Sequence, residues 1–198
     1  MEPELGPLTS PRRHGGEPFH RDGEPLGFDL QDFWAWSVSD LVSNATRGRL
    51  AEYLVARALG VPTSGVRNEW AAHDLTAPTG LKIEVKSAAY LQAWHQRHLS
   101  SIVFSIRPAR AWDPTTNEQS PHQTREADVY VFALLAHRDK PTLDPMNTAQ
   151  WRFYAVATRV LNARQRSQHS ITLRSLEALA PAVPFASLAT AVGGVRPG

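Results

Sequence analysis

The chain reads as an α/β protein, a mixed central sheet flanked by helices, and three stretches predict it. Residues 50–58 carry apolar side chains at helical spacing, residues 81–87 alternate apolar with polar, and Val129 to Leu135 is apolar almost throughout. The first pattern is an amphipathic helix, the second a half-buried strand, and the third a strand covered on both faces, which belongs in the middle of a sheet with layers above and below. At 198 residues, 42% of them hydrophobic, the chain can bury one core, so a single domain with tails is expected.

Residues 1–27 contain Pro3, Pro7, Pro11, Pro18 and Pro25 with Gly6, Gly15, Gly16, Gly23 and Gly27, and no apolar periodicity, which predicts a flexible N-terminal arm. The domain spans 28–192, and residues 193–198 form a disordered tail. Asp29 or Asp32 caps a short aromatic helix through Phe33, Trp34, Trp36 and Val38. Asp40 caps a second helix running to Leu59, with Gly60 just past its end and Pro62 beyond. Leu50, Ala51, Leu54, Val55 and Ala58 share one face of it, with Glu52 at the edge of that face. Trp34, Trp36 and Tyr53 are expected in the core.

A hairpin follows: Glu69 to Leu75, the breakers Ala77-Pro78-Thr79-Gly80, then Leu81 to Ser87. Ala88 to Gln96 is a helix or a turn, and Ser101 to Arg107 is another strand. Pro108 to Ala127 is a polar loop far longer than the usual connection of about 4 to 6 residues, a length that goes with function. Val129 to Leu135 and Trp151 to Ala157 are strands, and Thr158, Ser175 and Ser187 are caps for three closing helices.

Composition excludes several chemistries. There is no cysteine, so disulfides, thiolate-bound metals and thiol nucleophiles are absent, and a reducing cytoplasm is the expected compartment. No apolar run approaches the roughly 20 residues of a membrane span, and the first thirty residues lack the apolar segment of a secretion signal. No Gly-x-Ser-x-Gly elbow or Gly-rich phosphate loop occurs. His95 and His98 have no acids beside them and read as surface residues. The net charge of +2 favours polyanions only mildly, but Lys82, Lys86 and Lys140 are the only lysines among 21 basic residues. Two of them lie four residues apart on the alternating strand, where a flexible ammonium and a planar guanidinium would do different work.

On that strand Leu81, Ile83 and Val85 face one way and Lys82, Glu84 and Lys86 the other. Asp74, on the preceding strand of the hairpin, brings a second carboxylate alongside Glu84. Two carboxylates suit a hard divalent cation, which prefers oxygen ligands, and an adjacent ammonium suits a phosphodiester. Exposed Glu84 and Lys86 could instead be an ordinary solvated pair stabilising the strand by about 0.2 to 1 kcal/mol.

The order of parts, an acid-bearing helix, then Asp74, then Glu84-Val85-Lys86 ten residues on, resembles the PD-(D/E)XK phosphodiesterase superfamily over residues 40–160. His73 stands where that superfamily usually has a proline, a position that varies. The resemblance implies a restriction-endonuclease-like fold. It also implies Mg²⁺ or Mn²⁺ held by Asp74, Glu84 and the Val85 backbone carbonyl, Lys86 at the attacking water, and Glu52 as an accessory acid. Gln92 falls where several members place a polar residue beside the scissile phosphate. Arg47, Arg49, Arg107, Arg110 and Arg125 are candidate phosphate contacts. The implied activity is an endonuclease cutting DNA, with RNA not excluded, in restriction, defence or repair. A homodimer is compatible with it. The competing reading is a nuclease-like module that binds nucleic acid or protein without cutting.

Overall fold

The computed structural model describes residue 6, residues 8–113 and residues 116–196. Strands β1 (Pro18–Arg21) and β2 (Glu24–Asp29) open the fold as an antiparallel hairpin. Its tip is Asp22-Gly23, at φ 51° and 96°, the two consecutive positive angles that a tight hairpin turn demands. The segment expected to be a flexible arm therefore carries paired strands from Pro18 onward, while residues 1–5 and 7 lie outside the described residues. Helix α1 (Leu30–Val38) is capped as expected by Asp29, which exchanges side-chain and backbone hydrogen bonds with Asp32.

Here the aromatic expectation fails. Helix α1 buries none of its residues, Trp36 is 84% exposed, and Tyr53 is half exposed. The helix docks on the N-terminal segment, through Leu30 to Glu17 and Gln31 to Gly15, rather than on the sheet.

Helix α2 (Asn44–Leu59) begins four residues later than its expected cap, because the Asp40 carboxylate accepts the amides of Val42 and Ser43 and closes a turn of its own. Gly60 ends the helix in the left-handed region at φ 69°. The predicted face is the packed one: Ala51, Leu54 and Val55 are buried, with Leu50 and Ala58 against them.

Strand β3 is only Leu75–Thr76, paired antiparallel with β4 (Lys82–Ala89). The long first hairpin strand expected from Glu69 does not form. Residues 69–74 bend, and the Asp74 carboxylate, rather than a backbone carbonyl, meets the next free amide of β4. Ala88 and Ala89 extend β4, and the stretch after them is a turn rather than a helix, held by the Gln96 side chain, which bonds the backbone of Gln92 and Tyr90.

Strand β5 (Val103–Ser105) is followed by a small hairpin, β6 (Trp112–Asp113) and β7 (Glu118–Gln119), inside the stretch expected to be a loop. Then come β8 (Val129–Leu135), β9 (Trp151–Ala157), α3 (Thr158–Asn162), β10 (Ser170–Thr172), α4 (Leu173–Glu177) and α5 (Leu188–Gly193). Helix α4 starts from Thr172, not Ser175: the Thr172 hydroxyl accepts the Ser175 amide.

The central sheet has four strands in the order β3-β4-β8-β9, with β4 and β8 parallel and the other pairs antiparallel. Every residue of β8 is buried, as its uniform apolarity predicts. Val129, Val131, Ala133 and Leu135 join Ile83 and Val85 under α2 and α5. Tyr130, Phe132 and Leu134 pack on the other face against Phe104, Ile106, Ile171 and Leu176. That second cover is the unforeseen layer: β5 pairs with β10 in a separate sheet instead of joining the central one. Among the described residues no helix is long and apolar enough to cross a membrane.

Candidate active site

Strand alternation dictates where the candidate residues of β4 sit. Ile83 and Val85 point under α2, so Glu84 and Lys86 project from the opposite face of β4, half-buried and side by side. Their β8 neighbours are Tyr130 beside Glu84 and Phe132 beside Lys86. The Lys86 ammonium donates to Glu84 Oε1. This edge of the second face stays partly open, with side-chain exposure of 19% for Glu84 and 30% for Lys86.

Asp74 arrives at the sheet edge. Its amide donates to the Ile83 carbonyl at 3.1 Å and its Oδ2 accepts the Val85 amide at 2.7 Å. A strand residue directs its N–H and C=O to the same side, so the Val85 carbonyl also opens toward Asp74. Burial, then the charge of Glu84, raises the Asp74 pKa above the usual carboxylate range. The Val85 amide, Lys86 and Arg67 pull it partly back. Two acids thus sit near enough to repel one another.

Glu52 reaches this edge from α2, on the other face of the sheet. Both its oxygens are taken by Arg67, at 2.5 and 2.9 Å, and Arg67 also stands 3.9 Å from Asp74 Oδ1. The hydrogen bond to Glu52 makes Arg67 hold its proton more tightly. Glu52 is thereby joined to Asp74 through a guanidinium rather than placed with the acid pair. Among the described residues no three His, Asp or Glu side chains converge on a common point. The oxygen donors available together are Asp74, Glu84 and the Val85 carbonyl. Carboxylate and carbonyl oxygens are hard donors, the kind Mg²⁺ or Mn²⁺ prefers, whereas zinc sites favour nitrogen and sulfur.

The other candidates fall into two groups. Arg47 is buried and donates to the Val42 carbonyl (2.7 Å), Asn44 Oδ1 (2.7 Å), Ser87 Oγ (3.2 Å) and Gln92 Oε1 (3.5 Å). Burial lowers its pKa, and no carboxylate pairs with it among the described residues. Gln92, also buried, donates to the Ala89 carbonyl and Ser100 Oγ. These two residues brace the far end of β4 and line a concave space there with Ser87 and Ser100. Arg49 instead bonds Glu69 at 2.7 Å, and Arg107 and Arg110 stand exposed after β5. Among the described residues none of these three bonds the acids at the site.

Two residues near the site escaped the sequence reading. Arg67 lies in a bend with no periodicity to mark it. Tyr130 beside Glu84 is visible only once β4 and β8 are aligned; burial, then the Glu84 charge, pushes its pKa up to about 12. Arg125, a candidate phosphate contact from the sequence, donates to the Ile106 carbonyl, Asn162 Oδ1 and the Gln168 carbonyl and so ties the loop before β8 to its surroundings.

Fold and site together define a class: an α/β protein with two carboxylates and a lysine gathered at one edge of a mixed sheet. The family model for bacteriophage T4 endonuclease IV matches residues 34–175, a stretch from α1 to α4 that contains every candidate named above. The chain belongs to that endonuclease family. A search of curated proteins finds no match to the chain.

Proposed function

We propose that the chain is a metal-dependent endodeoxyribonuclease of the PD-(D/E)XK type, with a restriction-endonuclease-like fold, hydrolysing DNA to 5′-phosphate and 3′-hydroxyl ends. The observation that carries this reading is the gathering of Asp74, Glu84 and Lys86 at one sheet edge in a chain of an endonuclease family. A role in restriction, defence or repair is part of the same proposal and rests on analogy.

Asp74, Glu84 and the Val85 carbonyl would hold Mg²⁺ or Mn²⁺. Such an ion, when bound, supplies charge neutralisation at the phosphate and a lower pKa for water. The chain's own residues do the rest. The Val85 amide fixes the Asp74 carboxylate, so its other oxygen is aimed without freezing a free rotor. Glu84 orients the Lys86 ammonium, whose three donors can hold a water and a non-bridging phosphate oxygen in line for attack. Tyr130 and Phe132 close the floor of the site and exclude bulk water beneath both side chains. Arg67, braced by Glu52, places a fixed positive charge beside Asp74 and limits the repulsion between the two acids. Arg49, Arg107 and Arg110 are exposed and suited to flanking phosphates. Arg47 and Gln92, satisfied internally, hold the shape of β4 and act on substrate through it.

The test is incubation with supercoiled, linear and branched DNA and with RNA, in Mg²⁺ or Mn²⁺ and in EDTA. Cleavage of DNA with the ion, lost in EDTA and in Glu84→Ala, is expected. Undiminished cutting by Glu84→Ala overturns the site. Binding without cutting under any ion favours a non-catalytic binding module instead.

A further inference from the structure

Two tryptophans far apart in sequence meet beside the site. Trp70 stands on the bend between α2 and β3, and Trp112 on β6, with ring centroids 5.2 Å apart and planes tilted by 58°. Neither belongs to either buried core, and Trp70 is 69% exposed. Hydrogen bonds hold the ring of one and the backbone of the other. The Trp112 indole N–H donates to Asn117 Oδ1 at 3.2 Å, within the β6–β7 hairpin, and the Trp70 amide donates to Asn68 Oδ1 at 3.0 Å. Both tryptophans border a cleft of about 710 Å³, whose wall also includes Val66 and Arg67. Arg67 is the residue that reaches Asp74, so the cleft and the acid pair share a side chain.

We propose that Trp70 and Trp112 form a nucleobase-binding subsite, in which a base of the substrate strand stacks on the indoles while its backbone runs past Arg67 to Asp74 and Glu84. This rests on the nuclease reading above. Every base has a π-face, so such a platform grips a strand whatever its sequence, provided the base is unpaired or swung out of its helix. The Trp112 ring, fixed by its indole hydrogen bond and packed on Trp70, loses little freedom on binding, which is the condition for an aromatic surface to add affinity. With centroids 5.2 Å apart the two rings already touch, so a base stacks on the exposed Trp70 indole, backed by Trp112, rather than between them.

An abasic oligonucleotide separates stacking from charge, because it keeps every phosphate and lacks the bases. The full chain in EDTA is titrated with a short oligodeoxynucleotide and with its abasic counterpart, reading affinity and tryptophan fluorescence. Cleavage in Mg²⁺ is measured separately. The expected result is about tenfold tighter binding of the base-containing strand, with quenching. Trp70→Ala should erase that preference and leave the abasic affinity unchanged, while Trp70→Phe should keep part of it. Trp112→Phe, which keeps a ring inside the hairpin, should also weaken the preference. Equal affinity for both probes in the parent chain, or a preference that survives Trp70→Ala, overturns the subsite. If the parent shows the preference but cuts nothing in Mg²⁺ or Mn²⁺, the nuclease reading fails and the subsite stands.

Discussion

The Asp74 carboxylate accepts the Val85 amide at 2.7 Å and so takes the place of a backbone carbonyl that a longer β3 would have offered. One side chain thereby ends a strand and, in the proposed site, serves as a metal ligand. Separating these two duties gives the first prediction. Asp74→Asn keeps an acceptor for Val85 and loses only the charge, so its denaturation midpoint should stay near that of the parent while cleavage falls at least about 100-fold. Asp74→Ala should lose cleavage and also about 1 to 3 kcal/mol of stability, from the amide left without a partner. Full cutting by the Asn variant would refute the assignment.

Metal should be visible in stability before any substrate is added. Asp74 and Glu84 repel one another, and an ion bound between them relieves that repulsion. At a hundredfold excess over Kd, Mg²⁺ should add about 2.7 kcal/mol, and EDTA should reverse it. Glu84→Gln should show no such rise in a thermal melt. A shift of equal size in that variant would place the ion elsewhere.

Glu52 is expected to matter less than Asp74, because Arg67 occupies both of its oxygens. Glu52→Gln should cost about tenfold in cleavage rate, well short of the loss in Asp74→Asn. A double-mutant cycle on Arg67 and Glu52 should give a coupling of only about 0.5 to 1 kcal/mol, since Arg67 is 38% exposed and solvent screens the pair. Equal losses from Glu52→Gln and Asp74→Asn would promote Glu52 to the catalytic set.

Arg47 serves the frame. Its guanidinium satisfies four neutral acceptors, from α2, the turn before it, β4 and the turn after β4. Arg47→Ala should lower stability by about 2 to 3 kcal/mol, read as a shifted urea midpoint at unchanged slope. Lysine should not rescue it, because one ammonium lacks the planar fork that reaches several acceptors. An unshifted midpoint in the Ala variant would contradict this role.

Much of the placement of the candidate site was legible because it rests on local patterns. Glu84 and Lys86 share a face by parity alone, the stripe of α2 faces the sheet by its spacing, and β8 is central because apolarity on both sides requires two covers. Arg67, Tyr130 and Trp112 were invisible for the opposite reason. Each becomes meaningful only through a partner at least fifteen residues away: Arg67 through Glu52, Tyr130 through the β4 register, and Trp112 through Trp70. The same reason hid the pairing of β5 with β10 and the outward exposure of α1.

What the chain's own order of residues determined, then, is the class of fold, its central strand, and the strand face from which Glu84 and Lys86 emerge. These follow from periodicities of 2 and 3.6, which any short window contains. Tertiary structure alone decided that Asp74 caps a β4 amide, that Glu52 is spent on Arg67, and that two tryptophans border the cleft beside the acids. Those outcomes depend on which distant segments win the same buried amides and apolar surface, and that competition is settled by packing of the whole chain.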